Sequence, residues 1–233
     1  MLAWEPLRLG GRLYGGVRWE PAEEVTPRGR VLILHEFDGL GPESLWLLRE
    51  WRARGWGGVA ADLYGVSLRP RFAGEAALRA RALRELRGPL RARVRGWWEH
   101  LLTLPGYREE SLLLFGSSFG GHAVLEGLRA GLRPLGALTV YGYLDPSPEG
   151  LPGDVPLLAI VAGKDAVVPP ENGGSFLADW GMRGTPGRGV LFPGAPHGFL
   201  RPGRSPEGRV WAKRAWCEVD RFLSDLERGE WSR

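Results

Sequence analysis

The sequence predicts an α/β fold: a mostly parallel sheet with helices on both faces. Two observations carry that expectation. Apolar runs of strand length alternate with segments of helical period along the whole chain. Several of the short runs are continuously apolar, as strands covered on both faces must be. In chain order, the glycine-punctuated stretch Leu7–Trp19 is compatible with an antiparallel edge hairpin. Val31–His35 and Gly57–Ala61 read as strands, with a helix over Glu43–Arg54 between them. Helices follow over Gly74–Arg87 and Leu90–Leu104, then a strand at Leu112–Phe115 and a helix over Phe119–Ala130. Strands at Ala137–Tyr141, Leu157–Val161 and Val190–Phe192 complete the sheet, with a helix over Glu171–Trp180 before the last of them. The final helix opens after Ser205, whose hydroxyl suits an N-cap, has Pro206 at its first position and runs to about Leu226.

Composition bounds the rest. A chain of 233 residues, 43% apolar and 25% charged, is an ordinary globular protein, and no repeat or linker divides it, so one domain is expected over 1–233. Cys217 is the sole cysteine, which excludes an internal disulfide and a cysteine-based metal cluster. Met1–Gly11 carries Glu5 and Arg8 and no apolar stretch, unlike a signal peptide, and no run reaches the ~18–20 apolar residues of a membrane span. These readings assign the chain to the cytoplasm, without membrane, metal or cofactor. The net charge of +4 is too mild to imply a nucleic-acid partner, although all basic residues but Lys164 and Lys213 are arginine.

The sharpest chemical signal is Gly116-Ser117-Ser118-Phe119-Gly120 between a predicted strand and a predicted helix. A strand-to-helix elbow that presents a nucleophile leaves no room for side chains two residues to either side, and it forces the nucleophile into a strained conformation. Ser118 fits that frame; Ser117, flanked by Phe115 and Phe119, does not. A serine hydroxyl needs a base, and the base an acid to hold it. His197 lies in a small-residue loop after the last strand, and Asp165 directly follows the strand Leu157–Val161. Asp145, after the preceding strand, is the rival acid. His122, on the helix that follows the serine, reads as a packed or exposed helical side chain, and His35 and His100 read as structural.

Five motifs in order resemble the dienelactone hydrolase family of α/β-hydrolases over roughly residues 28–225. They are His35-Glu36-Phe37-Asp38-Gly39, Ala61-Asp62-Leu63-Tyr64-Gly65, Gly116-Ser117-Ser118-Phe119-Gly120-Gly121, Gly163-Lys164-Asp165 with Val168-Pro169, and Pro196-His197-Gly198-Phe199. The family typically carries cysteine at the elbow. Ser118 departs from that pattern and places the chain nearer to serine esterases of the same fold. The resemblance implies that Glu36 lies beside the nucleophile and helps to activate it. It also implies that the backbone N–H groups of Phe37 and Phe119 form the oxyanion hole. The family binds a substrate carboxylate with arginines, which implies Arg201, four residues past the histidine, and an arginine of the helical region, for which Arg79 is the candidate.

Arg79 is singled out because it falls inside the apolar arc of its helix, with Leu78, Ala82, Leu83 and Leu86, whereas Arg81, Arg84 and Arg87 share the opposite, solvated arc. The expectation is therefore a monomeric or homodimeric serine hydrolase for a small ester or lactone, with Ser118, Asp165 and His197 catalytic. The alternative is a non-catalytic binding protein of the same fold that uses its arginine-rich helix face. No aromatic residue interleaves the arginines from 79 to 95, which counts against single-stranded nucleic acid.

Overall fold

The computed structural model describes residues 1–21, 25–145, 147, 149–201, 203 and 205–231. β1 (Leu2–Leu9) and β2 (Arg12–Trp19) form the edge hairpin, which begins at Leu2 rather than Leu7. Gly10 and Gly11 close it at φ of 55° and 74°, a turn that glycine enters without a Cβ penalty. The predicted central strands are all present: β3 (Arg30–Leu34), β4 (Gly57–Ala61), β5 (Leu112–Ser117), β6 (Gly136–Val140), β7 (Leu157–Lys164) and a longer β8 (Gly187–Pro196). The sheet order is β1-β2-β4-β3-β5-β6-β7-β8, antiparallel through β1, β2 and β4 and parallel from β4 onward.

Strand alternation divides the core into two layers. Val31, Ile33, Leu113 and Phe115 pack with α1 (Pro42–Ala53) and α6 (Pro206–Glu227) on one face. Leu32, Leu34, Leu112 and Leu114 pack on the other, under α3 (Arg87–Leu102), α4 (Phe119–Arg129) and α5 (Pro170–Met182). Both faces of every central strand are thereby covered, which is why those runs read as continuously apolar. Ser205 caps α6 as expected, its hydroxyl accepting the Gly208 N–H at 3.2 Å.

The phase of α2 (Ala73–Glu85) differs from the expected one. Ala76, Ala80 and Leu83 are buried, while Leu78 and Leu86 are 70% and 58% exposed. Ala77 and Ala80 of this helix line a cavity, where small side chains leave room that leucine would fill. The arginine arc is correspondingly not a uniform solvated face. Arg81 is exposed, but Arg84 lies 3.9 Å over the Tyr143 ring, and Arg87 donates to Ser147 Oγ at 3.1 Å. Arg91 of α3 reaches both buried Glu126 and Glu149, each at 2.6 Å. This arginine row is largely spent inside the molecule, against the loop after β6 and α4. Among the described residues no helix is long and apolar enough to cross a membrane.

Candidate active site

The loops after β3, β5, β6, β7 and β8 meet at the C-terminal ends of the parallel strands, the usual place for a site in such a sheet. Ser118 stands between β5 and α4 at φ 53° and ψ −121°, strained for a serine. The flanking glycines are required: a Cβ on Gly120 would run into the Leu34 carbonyl, and one on Gly116 into the Gly120 backbone. The Ser118 N–H is held by Val140 O at 3.0 Å.

His197 follows β8 directly. Its Nε2 accepts from Ser118 Oγ at 2.9 Å, and its Nδ1–H donates to Asp165 Oδ2 at 2.7 Å. The other oxygen of Asp165 accepts the N–H groups of Val167 and Val168, both at 2.8 Å, so the carboxylate is fixed at both ends. Asp145 is elsewhere, 3.9 Å from both His122 Nδ1 and Arg84 Nε. His122 is buried with Nδ1 at 3.3 Å from Tyr143 O, and burial lowers its pKa. His35 is also buried and held below its ordinary pKa by desolvation; its Nε2 accepts the Leu63 N–H and its Nδ1–H meets the Glu36 carbonyl. His100 pairs with Glu5 at 2.8 Å, far from this cluster in the fold.

Ser118, Phe119, Phe37 and His197 line a cavity of about 350 Å³, with Ala77, Ala80, Tyr143 and Val167 as its apolar walls. Phe119 is the first residue of α4, so its N–H has no acceptor within the helix. The peptide that carries the Phe37 N–H is held through its Glu36 carbonyl, which accepts from His35 Nδ1 at 2.6 Å and from the Gly39 N–H at 3.2 Å, and the next carbonyl, Phe37 O, accepts from the Tyr64 hydroxyl at 2.6 Å. A second hollow of about 320 Å³, between Leu144, Phe176 and Trp180, touches none of Ser118, Asp165 and His197.

Three expectations about charged groups change. Arg201 does not line the cavity: its Nε donates to Glu36 Oε2 at 2.7 Å, and its Nη2 faces Glu36, Glu43 and Asp38 at 2.5, 3.1 and 3.6 Å. With three carboxylates around it, this guanidinium has no place for a substrate anion. Arg79 is also spent, on Glu75 one turn back at 2.6 Å, because α2 is rotated away from the expected phase. The arginines that do line the cavity are Arg81, paired with Glu85, and Arg84. Glu36, finally, touches Ser117 rather than Ser118: its Oε1 accepts from Ser117 Oγ and from Tyr141 OH, both at 2.8 Å.

A family model for the dienelactone hydrolase family matches residues 16–226. The chain belongs to the dienelactone hydrolase family. As a member it is a hydrolase. Comparison with curated protein sequences gives no match. Among solved structures, a dienelactone hydrolase-like promiscuous phosphotriesterase from metagenomic libraries superposes with a TM-score of 0.85 at 19% identity, over 97% of this chain and 98% of that one. A Klebsiella pneumoniae protein named as a putative dienelactone hydrolase gives 0.76 at 19% identity, over 96% and 98% of the two chains. Esterase 2 of Thermogutta terrifontis, with propionate bound, gives 0.70 at 18% identity, over 97% and 94%. At such identities the likeness establishes the α/β-hydrolase fold.

In this dienelactone hydrolase family chain, the carboxylates around Arg201 outnumber it. Glu43 among them is raised to a pKa of about 7, first by burial and then by the charges of Glu36 and Asp38, with Arg201 opposing. A carboxyl that binds its proton more tightly folded than unfolded makes stability fall as pH rises from its ordinary 4.5 toward 7. Glu43→Gln is therefore expected to raise Tm relative to the parent more at pH 8 than at pH 5. Thermal unfolding at the two pH values checks this, and an equal difference at both would contradict it.

Proposed function

We propose that this protein is a serine hydrolase that cleaves small carboxylic esters or lactones through an acyl-enzyme on Ser118. The observation that carries the reading is the continuous hydrogen-bond chain Ser118–His197–Asp165, opening on a small, largely apolar cavity. Ser118 Oγ attacks the ester carbonyl while His197 Nε2 takes its proton, and Asp165 holds the imidazole and stabilises the imidazolium. The N–H groups of Phe37 and Phe119 receive the oxyanion. Two fixed donors cost no reorganisation as charge develops, and losing one such donor typically costs ~2.7–4 kcal/mol. His197 then returns the proton to the leaving alkoxide, which departs from an open ester and stays attached in a lactone. Water, deprotonated by the same imidazole, releases the acid and restores Ser118.

Thermogutta terrifontis esterase 2 is phosphorylated by paraoxon. That reagent tests the reading here, since it should add one diethylphosphoryl group to Ser118 and abolish p-nitrophenyl acetate hydrolysis. Labelling of Ser117 instead, or turnover that survives stoichiometric labelling, would refute it.

The cavity's available cation is Arg84, which stacks on Tyr143 and has its nearest carboxylate, Asp145, only at 3.9 Å. A guanidinium so placed can hold a substrate carboxylate bidentately and orient the scissile carbonyl. Esters bearing a free carboxylate are therefore the proposed preferred class. Arg84→Ala is expected to raise KM for a dicarboxylic hemiester roughly tenfold, about the worth of one charge-assisted hydrogen bond, with little change for a neutral ester of equal size. Equal effects on both substrates would remove carboxylate recognition and leave a site for neutral short-chain esters.

A further inference from the structure

Ser118 and Tyr141 are the two non-glycine residues with positive φ among the described residues, at 53° and 39°. Such conformations are strained and persist only where the surroundings over-determine them. Both are tied to one buried carboxylate. Ser117, covalently adjacent to Ser118, donates its hydroxyl to Glu36 Oε1 at 2.8 Å, and Tyr141 donates its own to the same oxygen at 2.8 Å. Oε2 is taken by Arg201, four residues past His197 in the loop that carries it. The Tyr141 ring also packs edge-on against His197, with centroids 5.1 Å apart.

We propose that Ser117 and Tyr141 are positioning residues, which use Glu36 as a shared anchor to hold the strained Ser118 elbow and the His197 ring in register. The inference rests on the serine-hydrolase reading and deepens it. It gives Glu36 a different part from that implied by family resemblance. Ser118 Oγ spends its hydrogen on His197, while Oε1 of Glu36 carries two hydroxyls and Oε2 faces a guanidinium, so the carboxylate is engaged away from the nucleophile. Ser117 and Tyr141 are both buried, and a buried hydroxyl without an acceptor is costly, so each is pinned to this arrangement. Burial, aided by the Glu36 charge, pushes the Tyr141 phenol well above its ordinary pKa, which keeps its O–H a donor across the working pH range.

The test compares Ser117→Ala, Tyr141→Phe, Glu36→Gln and Glu36→Ala with the parent. The readouts are Tm, kcat and KM for p-nitrophenyl acetate, the midpoint of the acid limb of kcat, and the rate of Ser118 phosphorylation by paraoxon. Ser117→Ala and Tyr141→Phe are expected to fold normally. Each should lose on the order of tenfold in kcat and in phosphorylation rate, since a small misplacement of reacting atoms is expensive, with KM and the acid midpoint unmoved. Glu36→Gln keeps an oxygen that both hydroxyls can reach but turns its NH2 group on Arg201, so it should lose less than about tenfold, whereas Glu36→Ala should lose about 100-fold. A glutamine variant as damaged as the alanine variant would make Glu36 a proton acceptor and overturn the proposal. So would parent-like kcat in both hydroxyl-deleted variants, with the parent's own turnover leaving the serine-hydrolase reading intact. A parent that neither turns over esters nor reacts with paraoxon would remove that reading, and this inference with it.

Discussion

Ser118→Ala is expected to lower kcat for p-nitrophenyl acetate by roughly 10⁴–10⁶-fold, with Tm little changed, because the hydroxyl proposed to make the acyl bond is gone. His197→Ala should cost about as much, and the double variant should be hardly worse than either single one, since parts of one proton-transfer unit lose their function together. Asp165→Asn should fall by about 10⁴-fold: an amide in place of the Oδ2 that accepts from Nδ1 at 2.7 Å favours the wrong imidazole tautomer. Asp145→Asn should be nearly silent by comparison, since Asp145 approaches His122 and Arg84 only at 3.9 Å and does not meet His197. Steady-state kinetics on the five proteins decides the assignment. Additive losses in the double variant, or an active Asp165→Asn beside a dead Asp145→Asn, would dismantle it.

Gly120→Ala is expected to damage the fold severely. The added methyl would meet the Leu34 carbonyl, so backbone would press on backbone where β3 and α4 cross, with no flexible side chain to give way. A cost of about 3 kcal/mol or more is expected, at or above the upper end for overpacking, and seen as a large drop in Tm and in soluble yield. Gly174→Ala is the control. It lies within α5 with open space around its Cβ position, and alanine there should gain about 0.5–1 kcal/mol from helix propensity. Thermal unfolding of the pair checks both signs. A Gly120→Ala protein melting with the parent would mean that the elbow has slack that the structure does not show.

The parts legible in the sequence were those governed by local rules. Continuous apolar runs marked β3 to β7 because each lies under helices on both faces. The glycine frame distinguished Ser118 from Ser117 because the clash it avoids is made by residues only two positions away and by the adjacent strand. The Ser, Asp, His order placed Asp165 and His197 at the ends of β7 and β8, where the structure joins them to Ser118. Arg79 and Arg201 were less legible. The helical wheel of α2 predicts Leu78, Leu83 and Leu86 inward, but the helix packs with Ala76, Ala80 and Leu83 buried and with Ala77 and Ala80 on the cavity. That rotation exposes Leu78, spends Arg79 on Glu75 and turns Arg84 to the cavity. A run of alanines with an arginine one turn on was the available signal.

Ser117 and Tyr141 carried no signal at all, because their shared acceptor, Glu36, lies 81 and 105 residues away in the chain. The same holds for Arg201, whose three carboxylates come from the loop after β3 and the start of α1. By itself the sequence determined the strand–helix alternation, the elbow, and the three residues that meet in the Ser118–His197–Asp165 hydrogen-bond chain, since spacing and steric demand act along the chain. Only the tertiary structure decided which cation faces the cavity and which carboxylate accepts from Ser117 and Tyr141. A charge's role depends on its nearest opposite charge, and here that partner is supplied by distant segments or by the rotation of a helix about its own axis.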